Sequence, residues 1–273
     1  LIPFLGYHHV LMILLSVAII VLSILLAGCT SSNSLTNVYL LSVSYLNATT
    51  PLPKVDAAQV NSNISNIFAD ITGAGTRNVT SLEVRAGYMG MCISQTTGIW
   101  LCSSSATTLA NLLKSQTASA ASVQGGGEDP LNLIWIAGKF RDEIVFDGLA
   151  FTAVPLIFIT ILLLATFPGW HEEEGSEGSE REVKPFPSRP VSQVALSIIA
   201  LASLFAFVSI LWQHIATSAA ASMVRSLSYG TVSGQVGSAA MALGWVGVFL
   251  SIVVTIGLLV MILSIRVLSE TFE

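Results

Sequence analysis

Cys92 and Cys102 lie about ten residues apart in the one long polar loop of the chain, and a pair of glycines, Gly87 and Gly90, precedes them. Thiols at this spacing can form a disulfide if the chain turns back between them. The residues around them favour such a turn. Val84 to Ile93 is rich in strand formers, Thr96-Thr97-Gly98 reads as a turn, and Ile99 to Cys102 reads as a return strand. Cysteines on neighbouring strands reach the short separation that a disulfide needs, and the cross-link would pin a fold too small to rely on its own core. The alternative is two free thiols that lie close.

A second group with chemical potential is acidic: Glu128, Asp129, Asp142, Glu143 and Asp147. Carboxylates near a membrane face can gather calcium, an oxygen-seeking ion. Asp147 stands out at the mouth of an apolar run, where it also reads as a cap on a helix start. Beyond these groups the chemistry thins out. His8-His9 and His214 have no Cys, Asp or Glu at metal-ligand spacing, and no nucleophile motif is present. No catalytic residue, metal site or cofactor is expected, and calcium enters only as a regulated or transported ion. An enzyme is not expected, nor is a nucleic-acid role, for want of a basic footprint.

The elements that position these residues follow from composition. Hydrophobic residues make up 53% of the chain and charged residues 10%, against roughly a quarter charged in soluble domains, and the mean hydropathy is +0.76. Four apolar runs are long enough to cross a bilayer: residues 10–28, 148–167, 194–213 and 241–265. Pro155 lies inside the second, where a kink is expected. The runs divide the chain into a short terminus (1–9), a large loop (29–147), an acidic and proline-rich linker (168–193), a short second loop (214–240) and a tail (266–273). No Asp, Glu, Lys or Arg lies deep within a span, where an ion path often leaves such marks. Ala202 and Ala206 in the third span, and Gly244 and Gly247 in the fourth, suit close helix packing within one chain or between copies.

Leu26-Ala27-Gly28-Cys29 looks like the cleavage box of a bacterial lipoprotein signal, but the apolar run exceeds a signal core of 7–15 residues. A retained first helix is the expectation, with Cys29 a free or lipidated thiol at the membrane boundary. Three glycosylation triplets, at Asn47, Asn63 and Asn78, all fall in the large loop. They place that loop outside the cell or in the secretory lumen, and both termini and the linker in the cytosol. The linker, with its run from Glu172 to Glu180, cannot bury enough apolar surface to fold alone and reads as solvated.

Within the large loop, Leu35 to Leu46 suggests a first strand, and Leu109, Leu112 and Leu113 recur at helical spacing. Leu131 to Phe146 is amphipathic, with Leu133, Ile134, Ala137 and Phe140 opposed to Lys139, Arg141, Asp142 and Glu143, and suits a bilayer surface or a run into the second span. His214 to Ser228 prolongs the third span outward, and Gly230 to Gly237 supplies the turn into the fourth. The expected fold is a four-transmembrane-helix bundle with a small extracellular β-sheet in the first loop, an α+β membrane protein of claudin-like architecture.

The stretch Gly87-Tyr88-Met89-Gly90-Met91-Cys92, followed by Cys102, resembles the glycine–aromatic/apolar–glycine–x–cysteine…cysteine signature of a fungal family. That family comprises the pheromone-factor-induced calcium regulators and membrane-fusion proteins. The likeness covers the whole chain in topology and chiefly Arg85 to Cys102 in motif, more loosely Asn132 to Phe146. Many members carry aromatics at both positions between the glycines, where this chain has Tyr88 and Met89. Animal claudins and calcium-channel gamma subunits carry a related pattern with a tryptophan that this chain lacks. The resemblance implies a plasma-membrane protein of low-affinity calcium influx and cell fusion in mating and polarised growth. Its partners would be the lipid bilayer, a calcium channel or the fusion machinery, or further copies of itself. A calcium-conducting oligomer and an adhesion scaffold without transport stay open as alternatives.

Overall fold

The computed structural model describes residues 7–32, 34–45, 82–94, 99–119, 129, 131–167, 171–174, 180–183, 189–228 and 231–271. The chain forms two compact units. One comprises Leu1–Ser23, Asp147–Ile210 and Leu243–Glu273, and the other Ile24–Phe146 and Leu211–Ala242.

The first unit is built from helices long and apolar enough to cross a membrane: α1 (Tyr7–Leu26), α4 (Gly148–Ala165), and parts of α5 (Arg189–Leu227) and α6 (Ser238–Thr271). α4 runs through Pro155 as a single helix. The inward positions are small or branched, and the outward ones are large and apolar. Ala202, Ala206, Ile157, Leu164, Val254 and Leu258 are buried, whereas Phe158, Leu204, Phe249 and Ile256 are exposed. Burial against lipid, not water, explains that inversion of the usual surface. A side chain added at Gly247 would lie 2.7 Å from Leu22 Cδ2, and one at Gly244 would lie 2.8 Å from Ile210 Cδ1. The small residues are thus spent on packing within the chain. One hydrogen bond, Ser203 Oγ to Thr255 Oγ1 at 2.9 Å, ties α5 to α6.

α5 has 39 residues. At 1.5 Å per residue that is about 58 Å, nearly twice a hydrocarbon core of roughly 30 Å. The helix therefore continues to Leu227 through the first half of the segment expected as a second loop.

The second unit is a five-stranded antiparallel sheet of order β4-β3-β2-β1-β7. Its strands are β1 (Leu41–Tyr45), β2 (Glu83–Ala86), β3 (Met91–Ser94), β4 (Trp100–Ser103) and β7 (Val232–Val236). Register fixes the two faces, because side chains alternate along each strand. Leu41, Val43, Tyr45, Val84, Ala86, Met91, Ile93 and Leu101 share one face with Val232 and Val236. Against this apolar face pack α2 (Ala106–Ser119) and α3 (Leu133–Lys139). Leu109, Leu113, Leu133, Ile134 and Ala137 supply the buried contacts. Gly138 lets the two helices approach, since a side chain there would meet Ala106 Cβ at 3.0 Å. The other face carries Ser42, Ser44, Glu83, Arg85, Ser94 and Gln235.

Two expectations need correction here, and a third gains detail. The strand expected over Val84 to Ile93 is two strands, broken by a turn at Gly87–Gly90. The segment expected as a turn, Gly230 to Gly237, holds β7, whose backbone pairs with β1 over all five of its residues. The amphipathic stretch is α3 followed by a π-helical turn (Phe140–Ile144), closed by Val145 N–H donating to Phe140 O at 3.1 Å. Its inward and outward residues are nonetheless the expected ones, with Phe140 buried and Lys139 and Glu143 exposed.

The acidic linker also departs from a purely solvated chain. Its backbone pairs as a two-stranded antiparallel sheet, β5 (His171–Glu174) with β6 (Glu180–Val183). Backbone pairing needs no apolar burial, which is why the composition concealed it. A ladder of two strands is marginal by itself.

Candidate functional site

The glycine–cysteine stretch folds as the β2–β3 hairpin and the strand that follows. Gly87 N–H donates to Gly90 O at 2.9 Å, closing the turn. Tyr88 is buried and Met89 is exposed at the tip. Neither glycine is there for its conformational freedom; both are there for closeness. A side chain at Gly87 would stand 2.5 Å from Gly28 O, and one at Gly90 would collide with Cys29 O. The hairpin tip therefore rests backbone against backbone on Gly28–Thr30, the three residues that lead the chain away from α1.

That neck is itself tightly wound. Thr30 N–H and its hydroxyl both donate to Ala27 O, at 3.3 and 2.7 Å. Cys29 has φ 58°, a left-handed conformation uncommon for a side-chain-bearing residue. Cys29 is fully buried, and its thiol donates to Val38 O at 3.6 Å. Burial pushes the thiol up to about 12, opposed in part by the positive charge of Arg85. A thiol so enclosed and so rarely ionised has little reactivity.

Cys92 and Cys102 stand directly opposite on β3 and β4, with Cα atoms 4.0 Å apart, and are joined by a disulfide. The Cys92 sulfur lies 3.6 Å from Cys29 O, so the cross-link, the hairpin and the neck meet at one place. Arg85, opposite Cys92 on β2, holds this place from the side. Its guanidinium pairs with Glu83 at 2.8 Å and donates to Thr36 O and Asn37 Oδ1, both at 2.9 Å. It also lies over the rings of Trp100 and Tyr39, 4.0 and 4.7 Å from their centroids. Sequence reasoning passed over Arg85. The available signal was an arginine at the start of the motif, in a strand otherwise flanked by apolar residues.

Among the described residues the acidic groups do not assemble. Asp129 is engaged in structure: it accepts from Tyr45 Oη at 2.6 Å and from the backbone N–H groups of Leu133 and Ile134 at 2.8 and 3.0 Å. It thus caps α3 in place of Asn132, whose side chain makes no cap bond. Burial and the Asp129 carboxylate together push the Tyr45 phenol well up from its ordinary 10.0. Asp142 accepts from Arg141 at 2.6 Å, and Glu143 from Lys139 at 2.6 Å. Asp147 sits at the start of α4 without a side-chain cap bond; its backbone carbonyl accepts from Phe151 N–H. Glu128, Asn47, Asn63 and Asn78 lie outside the described residues. Among the described residues no three His, Cys, Asp or Glu groups come together as metal ligands.

Four helices able to span a bilayer and a disulfide-pinned antiparallel sheet define a multi-pass membrane protein of the tetraspan class. A family model described as Ca2+ regulator and membrane fusion protein Fig1 matches residues 67–264, from ahead of β2 to within α6. The chain belongs to that family. No curated protein matches it.

Proposed function

We propose that this chain regulates calcium entry and membrane fusion at the plasma membrane of a fungal cell, in mating and polarised growth, without catalysing a reaction. The observation that carries the reading is the family match over residues 67–264, which takes in β2, the Gly87–Gly90 turn and the disulfide. Both loops lie on the cell exterior in this reading, with the termini and the linker in the cytosol. The first loop is glycosylated at Asn47, Asn63 and Asn78. A sheet of four strands from the first loop and a fifth from the second supports a claudin-like architecture.

Regulation through a partner channel is favoured over conduction by the chain itself. The small residues that would line an oligomeric contact are packed within the chain, and Asp129, Asp142 and Glu143 each have protein partners. The test is calcium flux into liposomes holding only the purified protein, beside a Cys92→Ala/Cys102→Ala version. No flux from well-folded protein is expected. Flux that depends on the disulfide would replace this reading with a calcium-conducting assembly.

A further inference from the structure

Gln213 lies on α5 in the sheet-bearing unit, one residue past Trp212, whose indole N–H donates to Ile144 O at 3.2 Å. Trp212 faces outward and Gln213 inward: Gln213 is 1% exposed. Neither its Nε2 nor its Oε1 has a hydrogen-bond partner among the described residues. Thr217, one turn on, is also buried, but its hydroxyl donates to the backbone carbonyl of Gln213 at 2.6 Å and leaves the amide unserved. A buried amide without partners is costly, about 1–3 kcal/mol for each group. A leucine of similar length would fill the position with no such cost, so packing alone gives no reason for glutamine here.

We propose that Gln213 is the protein ligand of internal water, a hydration site enclosed on the inner face of α5. The chemistry selects water over the other small candidates. The amide offers one acceptor and two donor hydrogens, and water, which both donates and accepts, can serve either end of it. A calcium ion needs six to eight oxygens and a single amide supplies one. An anion would meet two donors with no charge to hold it. The inference does not depend on the calcium reading above, because hydration is tested without any flux.

The experiment is a rotating-frame Overhauser measurement between water and side-chain amides on the full chain in lipid nanodiscs, with isotope-labelled glutamine. The Gln213 signal is assigned by its loss in Gln213→Leu. A water cross-peak at the Gln213 amide, of the sign that excludes proton exchange, is expected because the proposed water lies within hydrogen-bond reach of it, and its absence overturns the proposal. The melting temperature of Gln213→Leu is a second reading. Loss of a water-served amide leaves the melting temperature unchanged or raised, since donor, acceptor and water all depart together. A clear fall in melting temperature would mean that another part of the chain bonds the amide, and would also overturn the proposal.

Discussion

Single atoms decide the behaviour of the motif. The Gly90 position leaves no room for a methyl group, because Cys29 O already occupies the space. Gly90→Ala should destabilise the sheet unit by about 1–3 kcal/mol and cut surface delivery. Met89→Ala, one residue away and exposed, should change stability by less than about 0.5 kcal/mol. Thermal melts and surface biotinylation of the two variants check the contrast. Asp129 offers a second test at this scale. Asp129→Ala removes the acceptor for Tyr45 and for two helix N–H groups, and should cost about 1–2 kcal/mol, as helix caps do. Calcium responses should survive in whatever fraction of that variant reaches the surface; a selective loss of the calcium response at normal stability would make Asp129 a cation ligand. The pH response follows from Cys29. Its folded value lies near 12 against an ordinary 9.0, so the folded state holds the proton more tightly than the unfolded one. The stability it contributes is complete below pH 9 and lost as pH rises toward 12. Tyr45 acts in the same direction. Melting temperature should fall over that alkaline window, and Cys29→Ala should flatten the fall.

At the scale of elements, the disulfide is the main brace of the β3–β4 pair, two strands of four residues each. Replacing both cysteines by serine should cost about 2–4 kcal/mol, read as a lowered melting temperature under non-reducing conditions. Equal stability with and without the bridge would mean that α2 and α3 hold the pair unaided. The legibility of these elements divides along physical lines. The spans were readable because a bilayer imposes long uncharged runs, and the cysteine pair because its flanks propose a hairpin. The break at Gly87–Gly90 was not, since strand formers flank it on both sides and the close contact of its glycines with Gly28–Thr30 is between residues far apart in sequence. The strand Val232–Val236 carries Ser, Gly and Gln and has little propensity of its own; pairing with β1 makes it a strand. Asp129 reads in the sequence as one of a group of calcium-gathering acids, because its cap bonds reach past Asn132, which holds φ 54°.

For the molecule as a whole, the decisive fact is that the sheet is shared between two distant parts of the chain. β1 lies between β2 and β7, so the first loop alone leaves one side of β1 open. Residues 29–147 made as a separate polypeptide should therefore show no cooperative thermal transition and little amide protection at Leu41–Tyr45. A sharp melt of that fragment would show that β7 is dispensable. The same sharing puts a clock on the protein's making. Ser103 ends β4, but Val232 does not leave the ribosome until α4 and all of α5 have been synthesised. At ~5–20 residues per second the four early strands wait on the order of ten seconds for the fifth. During that wait β1 keeps an unpaired strand edge open to other chains. Slow elongation ahead of Val232 should then lower the yield of folded protein without altering a single contact in it.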